Sequence, residues 1–423
     1  PAMASAQTAL ASQLAPTYLS QARRSRYPSL IYEEPDASDI SLATVQQNAL
    51  EGWEELCTRD PRLLAGPTTL LSATSTNATN RRLLSAEENR ALSANIGTLL
   101  RLLRPHFLHP SAHKVLEYLI RRYQVQQYNV NEVLGCALPY HSTNIFVKLI
   151  RLLHLKDTMW DFLSPAGRAG TPLPRTVLAQ RCLVDTGFLI FVCQTAKQSS
   201  GLKSECSAMS SFYTTLVVEA LQTCKNVSSD LATRFLPFIL HGLSLNIGRD
   251  YRAGTLMIIA TLIHRVQLSD QVLDDILEGL AKSSSEMLEE VLLLMVQIAH
   301  TQLKPHAVFP YRAFTHLARQ PALVSILADM GNSVRLEPLL APMMAALSQR
   351  LFAHENYRKL MISIIRQLPI GPLLPALLKA LLSLMQDEST SASATTDVGK
   401  AESILSTMDE LIAAVRDRFP RER

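Results

Sequence analysis

The sequence predicts an all-α protein built as an α-solenoid of helical pairs of the HEAT or armadillo type. Hydrophobic residues make up 47% of the 423 residues while only 15 are glycine, which is typical of packed helices. Apolar residues recur at helical spacing, and no stretch alternates apolar and polar residues for long enough to propose a sheet. Two predicted helical pairs begin 40 residues apart, at Ser229 and Ser269, and this is the period of HEAT and armadillo repeats.

Breaks in the apolar pattern divide the chain into segments. A chain of 423 residues is too long for one compact helical core, so a repeat array or two domains are expected. The clearest internal break is the Pro- and Gly-containing stretch from Ser164 to Pro174. The predicted segments are a partly extended arm at 1–38, a helical-repeat segment at 39–164, HEAT-like pairs at 165–386, a flexible loop at 387–398 and a C-terminal helix at 399–423.

Four amphipathic helices are predicted in the first part of the chain, with a short helix between the last two. The first begins near Asp39 and ends at Pro61. Ser85 and Glu88 match a capping box at the start of the second, which ends at Pro105. Their apolar stripes are Leu42, Val45, Ala49, Trp53 and Leu56; Leu92, Ile96, Leu99, Leu100 and Leu103; Ala112, Val115, Leu116, Leu119, Ile120 and Tyr123; and Ile145, Phe146, Leu149, Ile150 and Leu153.

The second part of the chain is predicted to contain helical pairs. Ser229-Asp230 and Ser269-Asp270 are read as caps of the first helix of two successive pairs. The helix that starts at Asp250 is apolar nearly all round, so it must be covered on several sides. The predicted pairs are 229–245 with 250–266, 269–281 with 284–300, 333–351 with 355–367, and 371–386 with 399–417.

Basic residues are the one functional signal that the sequence offers. The net charge of +4 is mild, but the interval from Arg101 to Lys156 holds eight Lys or Arg against two acids. Seven of these bases are predicted to lie opposite the apolar stripes, where they could contact the phosphates of RNA, contact a protein partner, or only be solvated. The predicted contact surface consists of Arg101, Arg104, Lys114, Arg121, Arg122, Lys148 and Arg151.

No motif indicates catalysis, a cofactor or a metal. The nucleotide-binding, nucleophile-elbow and zinc-protease patterns are missing from the sequence. His106, His109 and His113 could suggest a metal site, but Pro105 and Pro110 keep them off one helix face. The six cysteines form no C-x-x-C pair and are expected to be reduced. The apolar runs are too short to predict a membrane span.

Several separated blocks, in the same order, resemble one family. Together these blocks resemble the U-three-protein-ten family, which is the giant HEAT-repeat subunit of the UTP-A, or t-UTP, subcomplex of the small-subunit processome. The resembling blocks lie at Ser29-Leu30-Ile31-Tyr32, Leu116–Tyr123, Tyr128-Asn129, Leu138–His141, Ile145–Lys148 and Asp250-Tyr251-Arg252-Ala253.

The resemblance implies a non-catalytic scaffold that forms the N-terminal domain of a very long α-solenoid. Implied partners are β-propeller and helical UTP-A subunits, the small nucleolar ribonucleoprotein of the processome and the 5′ external transcribed spacer of pre-ribosomal RNA. The implied role is early pre-rRNA processing toward 18S rRNA in the nucleolus of the nucleus, linked to RNA polymerase I transcription. A HEAT-repeat nuclear transport receptor, or a general protein-interaction scaffold, stays open as an alternative, although such receptors are usually acidic.

Overall fold

The computed structural model describes residues 29–32, 37, 39–72, 79–202, 205–225, 227–304, 309–349, 351, 355–375, 377–379 and 398–418. Over this part of the chain the secondary structure is helical, with one isolated antiparallel bridge between Gly201 and Ile247 and no strand. The all-α prediction is confirmed. Most of the predicted arm at 1–38 and residues 387–397 of the predicted loop lie outside the described residues.

The chain forms two compact units. Unit 1 comprises Pro1–Ser199 with Cys206–Phe212, and unit 2 comprises Ser200–Glu205 with Tyr213–Arg423. The division therefore comes later than the break at Ser164–Pro174 suggested. Hydrogen bonds attach that stretch to the helices before it. The Leu173 N–H donates to the carbonyl of His141 at 3.2 Å, and the Arg151 Nε donates to the carbonyl of Gly167 at 2.7 Å.

Unit 1 contains helices of 4 to 18 residues, several of them followed by 3-10 turns. The predicted capping box is confirmed, because the Glu88 N–H donates to the Ser85 hydroxyl and the Ser85 N–H donates to the Glu88 carboxylate. The first helix packs against the third, and the second against the fifth. The helices are α1 (Leu42–Arg59), α2 (Ala86–Leu103), α3 (Pro110–Tyr123), α4 (Val125–Tyr128), α5 (Val130–Ala137), α6 (Asn144–Leu152), α7 (Ser164–Ala169), α8 (Arg175–Val184) and α9 (Thr186–Gln198).

Aromatic side chains pack together in the core of the later part of unit 1. The Trp160 ring is fully buried, and it meets Phe188 and Phe191 edge to face, with ring centroids 5.8 Å and 4.9 Å away. Its Nε1 donates to the Asn131 side-chain oxygen at 2.7 Å, which satisfies the one polar atom of the indole.

No single helix within the described ranges is long and apolar enough to cross a membrane. The bent pair α8 and α9 passes the same test on length and composition.

Unit 2 is a two-layer array of helical pairs. Helices α11, α13, α15 and α17 neighbour one another in one layer, while α12, α14, α16 and α18 do so in the other. This alternation is the arrangement expected of a HEAT-type solenoid. The helices are α10 (Ser207–Thr223), whose first turns belong to unit 1, then α11 (Ser229–Gly242), α12 (Arg249–Ile263), α13 (Asp270–Ser283), α14 (Leu288–Thr301), α15 (Tyr311–Leu317), α16 (Leu323–Met330), α17 (Glu337–Ser348), α18 (Glu355–Gln367) and α19 (Val398–Arg418).

Three predicted pairs correspond to α11 with α12, α13 with α14, and α17 with α18, but the pair between the last two of these was missed. Helices α15 and α16 span only 7 and 8 residues, which is too short for their apolar spacing to stand out. Of the predicted pair 371–386 with 399–417, the second helix corresponds to α19, while the first lies partly outside the described residues. The predicted cap at Ser229 is displaced by one residue, because the hydroxyl of Ser228 accepts the Leu231 N–H at 3.2 Å. Ser269 occupies the N-cap position of α13, without a side-chain capping bond.

A buried glutamine joins successive pairs in unit 2. The side-chain amide of Gln302, at the end of α14, donates to the carbonyls of Ile263 at 2.6 Å and Val266 at 3.0 Å. Its side-chain oxygen accepts the Leu268 N–H at 3.0 Å. Since the carbonyls at the end of a helix lack partners within that helix, Gln302 satisfies the end of α12 and fixes the turn that leads into α13.

We predict that Gly254→Ala destabilises unit 2, although alanine favours a helix over glycine by about 1 kcal/mol. A Cβ on Gly254 would overlap the Thr214 hydroxyl at the packing of α12 on α10, and such overpacking costs about 1–3 kcal/mol. The thermal unfolding midpoint should fall for Gly254→Ala. Adding Thr214→Ala should recover part of the loss, and a double variant no more stable than Gly254→Ala alone would contradict this origin.

Candidate functional site

The predicted basic surface divides into three groups. Arg101 and Arg151 are exposed, as predicted. Lys114, Arg121 and Lys148 are half-buried, whereas Arg104 and Arg122 are only 2% and 6% exposed. The prediction that all seven side chains share an outward surface is therefore wrong for Arg104 and Arg122.

Arg104 points inward because it continues the buried face of α2: its backbone is still helical and its N–H donates to the Leu100 carbonyl, so its side chain lies one turn after the buried Leu100. Helix α2 stops at Leu103, and a 3-10 turn over Arg104–His106 redirects the chain. The guanidinium donates to the Ser199 hydroxyl and, at 3.4 Å, to the Thr195 carbonyl at the end of α9. Burial lowers the pKa of the Arg104 guanidinium. This arginine thus ties α2 to the end of α9 and cannot contact a partner.

Arg122 is buried because α3 has almost no solvent face. Of its 14 residues, 11 are buried, including both Arg122 and Tyr123. The Arg122 guanidinium carbon lies 5.8 Å from the centroid of the Tyr123 ring, at cation–π distance. A pattern of apolar residues three and four apart predicts one buried stripe, and it gave no sign that the rest of α3 is also covered.

The segment before the first helix packs on α3 through Glu117. We call residues 29–32, together with Ala37, the strap. The buried Glu117 carboxylate accepts the Ser29 hydroxyl at 2.7 Å and the N–H groups of Leu30 and Ile31 at 3.1 Å and 3.3 Å. It also accepts the Arg121 Nε at 2.6 Å, and the same guanidinium donates to the Ala37 carbonyl at 2.6 Å. Arg121 and Glu117 together therefore hold both ends of the strap.

Tyr32 anchors the middle of the strap. Its hydroxyl lies 2.6 Å from Nδ1 of His113, whose Nε2 lies 2.6 Å from the Phe107 carbonyl. A carbonyl can only accept, so Nε2 carries the proton and Nδ1 accepts from the tyrosine. Lys148 donates to the Tyr32 carbonyl at 3.3 Å, with its nitrogen 5.6 Å from the ring centroid. Lys148 therefore also contacts the strap.

Glu117 and His113 were missed as binding residues in the sequence. Glu117 is the single acid of α3, and from the sequence it was only counted as one of the two acids between Arg101 and Lys156 and included in the Leu116–Tyr123 block. His113 was weighed only as a metal ligand. One signal was present, since the Ser29–Tyr32 block and the Leu116–Tyr123 block both resembled the same family, and these are the two segments that bind each other.

The Tyr128-Asn129 step also has a structural explanation. The buried Arg81 guanidinium donates to the side-chain oxygens of Asn129 and Asn89, at 2.6 Å and 3.0 Å, and to the Ser93 hydroxyl at 2.6 Å. Its carbon lies 4.7 Å from the centroid of the Tyr128 ring. Burial lowers the pKa of Arg81. The motif residues thus enclose an internal cation.

The other polar clusters have separate contacts. His106 lies 3.1 Å from the Asp60 carboxylate, while the His109 ring lies 3.8 Å from the Glu55 carboxylate and accepts the Ser111 N–H. Within the part of the chain that the structure describes, no group of three or more His, Cys, Asp or Glu side chains is placed to hold a metal ion. The cysteines are unbridged, and burial raises the pKa of both Cys136 and Cys182 to about 12.

Comparisons with known proteins converge on one description. Residues 231–347, which lie within α11 to α17, match the family model described as U3 small nucleolar RNA-associated protein 10. The chain is 29% identical to HEAT repeat-containing protein 1 of Homo sapiens over 364 residues, which are 82% of this chain and 17% of the relative. It is 32% identical to the Drosophila melanogaster homolog over 325 residues, 75% of the chain and 15% of the relative.

A relative from Aspergillus clavatus, named U3 small nucleolar RNA-associated protein 10, is 28% identical over 377 residues. The alignment covers 85% of this chain and 21% of that protein. The chain thus spans about a fifth or less of the length of these relatives.

We predict that unit 1 loses stability as the pH falls from about 7 to about 4. Burial lowers the pKa of His113 to about 4, below the ordinary value near 6.5, so the unfolded chain binds a proton that the folded chain does not. The stabilisation is therefore complete above about pH 6.5 and is lost as the pH falls through the folded pKa. It amounts to about 3 kcal/mol.

Urea unfolding at a series of pH values measures this loss. His113→Gln should remove the His113 contribution, so the variant and the wild type should differ most in the slope of stability against pH between about 4 and 6.5. Identical slopes for the two proteins would contradict the assignment.

Proposed function

We propose that this chain, as a member of the family of U3 small nucleolar RNA-associated protein 10, acts as a non-catalytic scaffold in the small-subunit processome. The carrying observation is the family match over residues 231–347, which coincides with the layered helical pairs of unit 2. Stacked pairs present long rows of side chains along each layer, and repeat arrays use such rows as extended binding surfaces.

The finer proposal places this scaffold in the UTP-A subcomplex. It would form the N-terminal domain of a longer α-solenoid and contact β-propeller and helical subunits on the 5′ external transcribed spacer. Its role would be in ribosome biogenesis, in the early cleavages toward 18S rRNA, in the nucleolus, with a link to RNA polymerase I transcription. The names of the relatives, which refer to the U3 small nucleolar RNA and to HEAT repeats, support this proposal.

The proposed contact surface is reduced to the bases that reach solvent. Arg101 on α2 and Arg151 on α6 are exposed, and Lys114 on α3 is half-buried. Arg101 donates to the Thr98 hydroxyl of its own helix at 2.8 Å and remains on the surface. Arg121 and Lys148 contact the strap, while Arg104 and Arg122 lie inside, so these four are withdrawn as partner contacts.

We predict that the tagged chain, expressed in cells, recovers U3 small nucleolar RNA and processome proteins above the background of an unrelated helical-repeat chain. Immunoprecipitation followed by RNA quantification and mass spectrometry measures both. The Gly254→Ala variant is the matched control. It keeps the surface residues of unit 2 but disturbs the packing of that unit. Recovery of neither RNA nor processome proteins by the wild type would contradict the proposed function.

We further predict that reversing the charge of Arg101 and Arg151 to Glu weakens one class of contact. If the surface meets an RNA backbone, the affinity for spacer RNA falls and the slope of log affinity against log salt decreases by about 2. If it meets protein, RNA affinity is unchanged but recovery of processome proteins falls. Arg366→Glu, an exposed base on α18, is the control. Unchanged RNA affinity and unchanged recovery would eliminate this surface.

A further inference from the structure

The contact between Ser29 and Glu117 depends on a single proton. The Ser29 hydroxyl donates to one oxygen of the Glu117 carboxylate at 2.7 Å, and the same hydroxyl oxygen accepts the Ile31 N–H at 3.1 Å. Ser29 therefore supplies the only side-chain donor of the strap to the buried carboxylate, next to two backbone donors. A change that removes this proton and adds negative charge would act directly on the attachment of the strap.

The residues before Ser29 form a recognition pattern for such a change. Arg26 and Arg24 lie three and five residues before Ser29, and the apolar Leu30 follows it. Serine/threonine kinases with acidic substrate grooves select arginine at these two positions, since the guanidinium groups pair with carboxylates of the kinase. The proposed function does not use these arginines.

We propose that Ser29 is a phosphorylation site for a basic-directed serine/threonine kinase, and that its phosphorylation releases the strap from α3. In the transfer, the Ser29 oxygen attacks the γ-phosphorus of Mg-ATP. The new O–P bond forms as the bond from that phosphorus to the bridging oxygen of ADP breaks. The hydroxyl proton passes to a carboxylate of the kinase. The inference concerns the chain by itself and does not rest on the proposed function.

Release follows from the charges around Glu117. Phosphorylation replaces the donor at 2.7 Å with an ester oxygen that can only accept, and it adds about −1.5 to −2 charge beside a carboxylate. Removing the one donated proton and placing like charges together disfavours the folded contact, and the low dielectric of a buried site strengthens the repulsion.

The neighbouring cations are already engaged. Arg121 donates its Nε to Glu117 and its Nη2 to the Ala37 carbonyl. Lys148 donates to the Tyr32 carbonyl. Both cations thus already contribute to the bound strap, and retention of the strap by a pair between the phosphate and one of them would be seen as unchanged or slower exchange in the test below.

The consequence is a newly exposed surface on unit 1. The Ile31 side chain is 0% exposed while the strap is in place, and Tyr32 covers the buried His113 ring. Release uncovers these groups together with Glu117 and Arg121 on α3. The same segments that resemble the family motif would thereby change from an internal contact into a surface open to a partner.

The full chain, treated with the catalytic domain of a basic-directed kinase and Mg-ATP, provides the test. Peptide mass spectrometry should place one phosphate on Ser29, and hydrogen exchange at the amides of Leu30 and Ile31 should accelerate about tenfold or more. No phosphate on Ser29, or exchange that is unchanged or slower after stoichiometric phosphorylation, would overturn the proposal.

Three variants separate recognition from release. Arg26→Ala should reduce the phosphorylation rate at least tenfold without changing exchange in the untreated chain. Ser29→Ala should take up no phosphate there and should keep the strap bound through the Leu30 and Ile31 amides. In Glu117→Gln the carboxylate charge is absent, so phosphorylation should accelerate exchange much less than in the wild type. Equal acceleration in Glu117→Gln and the wild type would refute repulsion by Glu117.

Discussion

The burial of α3 on nearly every side is the constraint on which the rest of unit 1 depends. With 11 of its 14 residues buried, α3 must be covered by α1 and by the strap, and its polar side chains must find partners inside the protein. Glu117 answers this requirement by accepting donors from the strap and from Arg121. The strap therefore contributes Ile31 and Ala37 to the core of unit 1, and Ile31 is buried as completely as the residues of the helices.

The buried guanidinium groups of Arg81 and Arg104 have different partners from the buried Glu117 carboxylate. Arg81 and Arg104 donate to neutral oxygens of asparagine, serine and backbone groups, in contrast to the carboxylate-paired Arg121. Neutral partners cost less desolvation than a second buried charge would, and the fork of donors fixes several segments at once. Arg81 thereby orients the Tyr128-Asn129 step, while Arg104 joins α2 to the end of α9. These contacts explain residues that would otherwise suggest a nucleic-acid surface.

In unit 2, too, buried polar side chains connect separate segments, here within a regular array of helices. Gln302 satisfies the carbonyls that end α12, and the buried Arg252 pairs with Glu286 at 2.8 Å across successive pairs of helices. These bonds act at or near the ends of helices, where the repeat leaves backbone groups without partners. The family match falls on this array, which agrees with a scaffold whose surface is built by repetition.

The sequence by itself determined the all-α fold, the main helical pairs of unit 2 and the capping box at Ser85, because helical periodicity and capping are local properties. It could not determine that Arg104 and Arg122 are inside. Arg104 is enclosed by the end of α9 and Arg122 by the cover over α3, and both depend on contacts between distant segments.

The tertiary structure alone decided what Arg121 on α3 and Lys148 on α6 contact. Glu117 and Arg121 lie more than eighty residues after the strap that they bind, and Lys148 lies further still. Spacing along one helix predicts which face a side chain occupies, but it does not predict what covers that face. The residues that looked available for a partner are therefore in part occupied by the chain itself.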